Sequence, residues 1–319
     1  MKTLKYVIKI GCTAAIVLQV GSALSQTQTG SKPLCPLTSN KIDTSNAAFP
    51  YGCNATPTVL SVQMYRIGLC TANPAPTNGT DANGDPTISP TVALDYSSCT
   101  FALDSSSGVL TNLAVGSSTA LGAVPAFSIA KYPYGVMIVG SADSITSTQS
   151  FSTSMTGGAF TSGTFCSTNG GSTYLSSAQS LDSTPEPGGN TYLTRCGNAA
   201  PAATATTVIL DTFDNQAAPG LQPVVGTTAI APPGAPSGDR FYGFLRGSDG
   251  VTVPTGTGVN STAKRLVAVY KFNTPVNITS ATTSLSVNSI VTGSVGFGGS
   301  SAYLSRMLPG PFIAYLTAN

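Results

Sequence analysis

The chain has 319 residues, with 14 Lys and Arg against 12 Asp and Glu, and it contains no His and no Trp. Without His there can be no His-based triad, no His metal ligand and no His general base. Apolar residues make up 41 %, enough for a sizeable core, while only 8 % are charged and Gly and Pro number 34 and 22. That balance belongs to a loop-rich β protein rather than a helical one.

Residues 1–25 read as a secretory signal. Lys2, Lys5 and Lys9 supply the positive end, Ile10 to Val20 a short apolar run, and Ala23 and Ser25 small residues before a cut at Gln26. A membrane anchor would need an apolar run of about 20 residues, and Cys12 lies too early in this one to be a lipid-modified cysteine. The mature chain is then expected to have no transmembrane segment. Losing three Lys turns the formal charge of +2 into −1. Such a weakly charged chain lacks the basic footprint that nucleic acid requires.

Six cysteines remain after the cut: Cys35, Cys53, Cys70, Cys99, Cys166 and Cys196. An even number in an exported chain reads as a disulfide framework, with fifteen connectivities open to it. No pair has the C-x-x-C spacing of a metal site. Closure entropy favours short loops, so sequential pairing is expected, with Cys70–Cys99 bracketing one polar excursion. Each bridge is worth roughly 3 to 4 kcal/mol through the unfolded chain.

Along the mature chain, 26–50 is polar and irregular, a tether or a leading edge segment. From Thr58 to Tyr65 the apolar Leu60, Val62 and Met64 alternate with polar neighbours, the period of a half-buried strand. Residues 71–90 are rich in Pro, Asn-Gly and Gly-Asp and predict a surface excursion with little to bury. Strand signals follow at 108–114, 124–130, 134–139, 148–153 and 206–210, with a Gly/Ser/Thr-rich stretch at 155–190. The Pro/Ala/Gly-rich residues 217–239 suggest a long loop or a domain sub-boundary. Further strands are expected at 265–272 (Leu266, Ala268, Tyr270 and Phe272 on one face), 285–291 and 311–316. Many short strands and no sustained helical period predict an all-β antiparallel sandwich over 51–319, Ig-like or jelly-roll-like, loop-rich and stapled by disulfides.

The run Val62-Gln-Met-Tyr-Arg-Ile-Gly-Leu-Cys-Thr71, followed by Asp95-Tyr-Ser-Ser-Cys-Thr100, resembles an uncharacterised group of exported proteins from marine bacteria and viruses. The resemblance covers about the first half of the mature chain. It implies an exported β-domain and carries over no catalytic residue.

Three constellations could carry chemistry. Asp81, Asn83 and Asp85 place oxygens at alternate positions, as a Ca²⁺ loop does. The pattern has Pro86 where such a loop has Gly, lacks the closing Glu, and equally suits ordinary Asx-Gly turns. Asp211 with Asp214, or Asp239 with Asp249, could form a carboxylate pair for glycoside hydrolysis, although eleven Asp among turns make chance pairs common. Arg240, Tyr242, Phe244 and Arg246 alternate in Arg-Phe-Tyr-Gly-Phe-Leu-Arg. They form either a ligand platform that stacks on a sugar or a buried strand with Phe241 and Leu245 inward. The glycines of 293–299 lack the spacing and the following helix of a phosphate cradle and read as a turn or hairpin. Asn54, Asn78, Asn260 and Asn277 each open an N-x-S/T sequence.

The expectation is therefore an exported, non-enzymatic surface or extracellular protein of the adhesin, pilus or surface-layer type. Its partners would be other surface proteins, further copies of itself or glycans. The competing readings are a secreted carbohydrate-active enzyme using Asp carboxylates and a non-catalytic carbohydrate-binding module.

Overall fold

The computed structural model describes residues 12–14, 33–75, 77–80, 86–88, 93–113, 118–120, 127–158, 161–174, 193–211, 224–225, 240–256, 258–309 and 313–318. The protein is all-β. Among the described residues Gly258–Asn260 is a short 3₁₀ turn, and no helix is long and apolar enough to cross a membrane.

The largest sheet grows around Val59–Cys70. Its alternation holds: Leu60, Val62 and Met64 are all buried. One edge of this strand pairs antiparallel with Cys99–Leu113. The other edge is shared by two consecutive strands, Ala130–Gly140 and Ala142–Thr146. Beyond Ala130–Gly140 lie Arg265–Ile278, Arg240–Arg246 and Val224–Val225, and beyond Ala142–Thr146 lie Thr206–Ile209 and Ser172–Tyr174. Strands before and after 217–239 thus belong to one sheet.

The chain passes from this sheet to the second one at Ser147. Thr146 ends the first strand and Thr148–Thr156 begins the next, which pairs with Ser162–Thr168 and, in parallel, with Lys41–Ile42. The corner is held by hydrogen bonds. The Ser147 amide donates to Thr168 Oγ1 (3.1 Å), and the Gln149 side-chain amide donates to Ser147 Oγ and the Thr56 carbonyl, both at 2.8 Å. Strands that switch sheets through such bends make the corners of crossed sandwiches.

Between the layers sits the main core. Its centre is a ring trio from three separate parts of the chain: Phe49, Phe151 and Phe297, with centroids 5.6 to 5.9 Å apart. Phe49 comes from the leading segment, which from Pro33 onward is an edge of the second sheet and not a tether. Phe297 comes from the glycine-rich region, where Val295–Gly299 and Leu304–Pro309 form a hairpin. Gly298 has a reason to be glycine, since the Arg306 side chain lies where a Cβ would stand.

A second, smaller core covers the opposite face of the large sheet. Val136, Ile138, Phe244, Val267 and Val269 are packed there under Ala75, Leu94 and Tyr96. The little that 71–90 was expected to bury is found at its start. Pro74 and Ala75 are buried, and the two arms of the excursion bond each other through Asp95 N to Pro74 O at 2.8 Å. Leu266, Ala268, Tyr270 and Phe272 share the main core as expected, but their strand is buried on both faces, not half-buried.

All three disulfides follow sequential pairing: Cys35–Cys53, Cys70–Cys99 and Cys166–Cys196. The second and third join directly opposed residues of neighbouring strands. A further pairing joins Cys12–Ala14, within the expected signal, to the C-terminal strand Ile313–Ala318.

Candidate functional site

The described surface has a polar cleft in the connection from Arg240–Arg246 to Arg265–Ile278. The two strands pair in register to Arg246↔Arg265, so the intervening chain must leave the sheet and return to the same point. It does so as two stacked loops. The first is closed by Gly247 N to Thr252 O (2.8 Å) and turns at Gly250, whose φ of +71° suits glycine. The second is closed by a pair of bonds between Thr255 and Thr262: Thr262 N to Thr255 O at 2.9 Å and Thr255 N to Thr262 Oγ1 at 2.8 Å. Lys264 N then bonds Arg246 O at 2.9 Å and closes the neck.

Asp249 organises the first loop. Its Oδ1 accepts the Val251 and Thr252 amides, both at 2.9 Å, and its Oδ2 accepts the Thr252 hydroxyl. The Thr252 hydroxyl, helped by those amides, holds the Asp249 carboxyl below its usual range against a smaller effect of burial. Beneath the loops, the Tyr96 hydroxyl donates to Gly250 O at 2.8 Å and Gly258 N donates to Asp211 Oδ2 at 2.5 Å. Burial pushes the Tyr96 phenol well above its ordinary value. Between the loops is an open cleft of about 590 Å³. Ser248, Thr252, Thr255, Ser261, Thr262 and Lys264 line it with five hydroxyls and one ammonium; Val253 adds an aliphatic face.

Sequence reasoning singled out Asp249 and Asp211 as possible carboxylate-pair members but not the cleft, because the surrounding Ser, Thr and Gly read as turn material and the spacing gives no hint that Thr255 and Thr262 bond each other. Of the residues it did single out, Asp81, Asn83 and Asp85 lie outside the described residues, as do Asp214, Asp239 and the side chains of Arg240, Tyr242 and Phe241. Phe244 and Arg246 are interior. Phe244 is in the second core, and the Arg246 guanidinium carbon lies 4.9 Å from its ring centroid while Nη1 donates to Leu245 O at 2.8 Å. Burial lowers the Arg246 pKa, with Tyr96 and Asp249 acting the other way. Neither residue is available for an exposed platform, because Ala75, Leu94 and Tyr96 pack over this face. Leu245 points the opposite way, into the main core. Asp211 is buried and its carboxylate supports the second loop. Among the described residues no cluster of three metal-ligating side chains occurs. No family model, curated protein or solved structure matches the chain.

Proposed function

We propose that this protein works outside the cytoplasm as a non-enzymatic interaction module of the adhesin, pilus or surface-layer type. The observation that carries this is the disulfide framework. Each bridge staples a different part of the sandwich: the leading segment, the edge of the large sheet and the second sheet. Bridges of this kind persist where thiols oxidise. The signal-like start of the chain agrees with that, and its removal would release the pairing of Cys12–Ala14 with the last strand.

A binding role fits the site better than hydrolysis. A glycosidase needs two free carboxyls facing one sugar, whereas Asp211 and Asp249 both spend oxygens on backbone amides. The polar cleft favours glycans as a second class of partner, beside proteins and further copies of the chain. Fractionation of the producing cells, surface labelling and N-terminal sequencing test the reading. Labelled or periplasmic protein that starts near Gln26 is the expected result. Cytoplasmic protein that retains Met1 and free thiols would overturn it.

A further inference from the structure

The cleft has an asymmetry between donors and acceptors that points to a ligand class. Among the described residues its one carboxylate, Asp249, stays charged but accepts two amides and a hydroxyl from its own loop, so most of its acceptor positions are taken. Lys264 is exposed, and its ammonium forms no ion pair or hydrogen bond among the described residues. The Ser248 and Thr255 hydroxyls are likewise without a partner among them. Ser261 Oγ accepts the Ala263 amide and keeps its proton to donate. The cleft therefore offers the Lys264 ammonium and several unspent hydroxyl donors to whatever enters, beside an Asp249 carboxylate whose oxygens are already mostly occupied.

A ligand that matches has many oxygen acceptors, one negative charge and the size of a sugar unit or two. We propose that this cleft binds an oligosaccharide bearing a uronic acid, with the sugar carboxylate on Lys264 and ring oxygens on Ser248, Thr255 and Ser261. Val253 meets a C–H face of the ring. The cleft's volume lies within the roughly 300–1,000 Å³ of small-ligand sites. Among the described residues no aromatic ring lines it, so hydrogen bonds and one exposed ion pair carry the affinity, and binding weakens with salt. The proposal rests on the extracellular binding reading above and names the partner class for it.

The test uses the purified, disulfide-bonded chain, titrated by calorimetry with a trisaccharide of hexuronic acid and with a neutral trisaccharide of the same linkage. The acidic sugar should bind saturably and the neutral one at least about tenfold more weakly. Lys264→Gln should lose at least about tenfold in affinity, Lys264→Arg should recover most of it, and Lys131→Gln, on a distant exposed position, should leave binding unchanged. Among the described residues the Lys264 side chain has no partner to lose, and thermal melting of each variant verifies its fold. Absence of saturable binding, or equal binding by Lys264→Gln, overturns the proposal. Displacement by inorganic phosphate at equal concentration would assign a bare anion site and overturn the sugar assignment. Export is read in cells and binding in the calorimeter, so failure of one is distinct from failure of the other.

Discussion

Asp143 is the most informative single position for stability. It lies in Ala142–Thr146 opposite Val208, on the face that also buries Ile145. Its side chain is 1 % exposed, and neither carboxyl oxygen has a hydrogen-bond partner among the described residues. Burial pushes its pKa up to about 8 from 3.8. The folded chain thus holds a proton that the unfolded chain releases near pH 3.8. A group with a raised acid pKa favours folding fully at low pH and loses that contribution as pH rises toward the folded value. Stability should fall from about pH 4 to about pH 8 and then level off. At about pH 7 the cost is of order 4 kcal/mol, from roughly 1.4 kcal/mol per unit over about three units. Ordinarily His would blur such a window, but the chain has none. Asp143→Asn removes the titration while keeping the shape. Its buried amide carries a cost of its own, about 1 to 3 kcal/mol, which does not vary with pH. The slopes therefore decide, not the levels. Denaturant unfolding from about pH 5 to about pH 8 should give a falling line for the parent and a flat one for the variant. Parallel lines would refute the reasoning.

Other perturbations address separate parts of the fold. Phe151→Ala removes one ring of the trio and should cost about 3 to 5 kcal/mol by denaturant melt. Replacing Cys70 and Cys99 together by Ser should cost roughly 3 to 4 kcal/mol, with a loss below 1 kcal/mol arguing against loop entropy as the cause. Deleting 78–85 spares Pro74, Ala75, Leu94 and Tyr96, so the melting midpoint in chelator should stay nearly unchanged; a calcium-dependent gain in the intact chain that the deletion abolishes would establish Asp81, Asn83 and Asp85 as ligands. In a glycosylating host, mass mapping should find glycan on the exposed Asn260 and Asn277 and none on Asn54, which is 2 % exposed.

Where a strand buries one face, the sequence announced it. Leu60, Val62 and Met64 alternate with Ser61, Gln63 and Tyr65, and the sheet uses that alternation directly. The 265–278 strand carried a fuller message than a simple alternation. Val267 and Val269 are as apolar as Leu266 and Ala268, which is what burial on both faces requires. What could not be read was the material covering the second face. Ala75, Leu94 and Tyr96 are isolated apolar residues inside a turn-rich stretch, and their role depends on Cys70 and Cys99 bringing both arms of the excursion back over the sheet. Ser162–Thr168 was hidden for a different reason. Its Gly, Ser and Thr have little burial signal, and the strand is specified instead by its neighbours: the bridge from Cys166 to Cys196 and the Thr148–Ser167 hydroxyl contact at 2.8 Å.

The same logic explains why Arg240 to Arg246 could be read either as a platform or as a buried strand, and why the cleft beside it gave no signal of its own. Alternating Arg and aromatic residues describe a surface platform only if one face of the strand meets water. Here Phe244 faces one core and Leu245 the other, so composition reports packing at this strand and nothing about ligands. Both faces being occupied also fixes the two strands at the neck of the cleft, where Arg246 pairs with Arg265 and Lys264 N bonds Arg246 O. The loops between them need bury almost nothing to keep their shape, because Asp249 and the Thr255–Thr262 pair satisfy their own backbone. Small polar residues are then free to point outward with unspent donors. Recognition chemistry sits where the sequence is least hydrophobic, on a scaffold set by the residues that are most so.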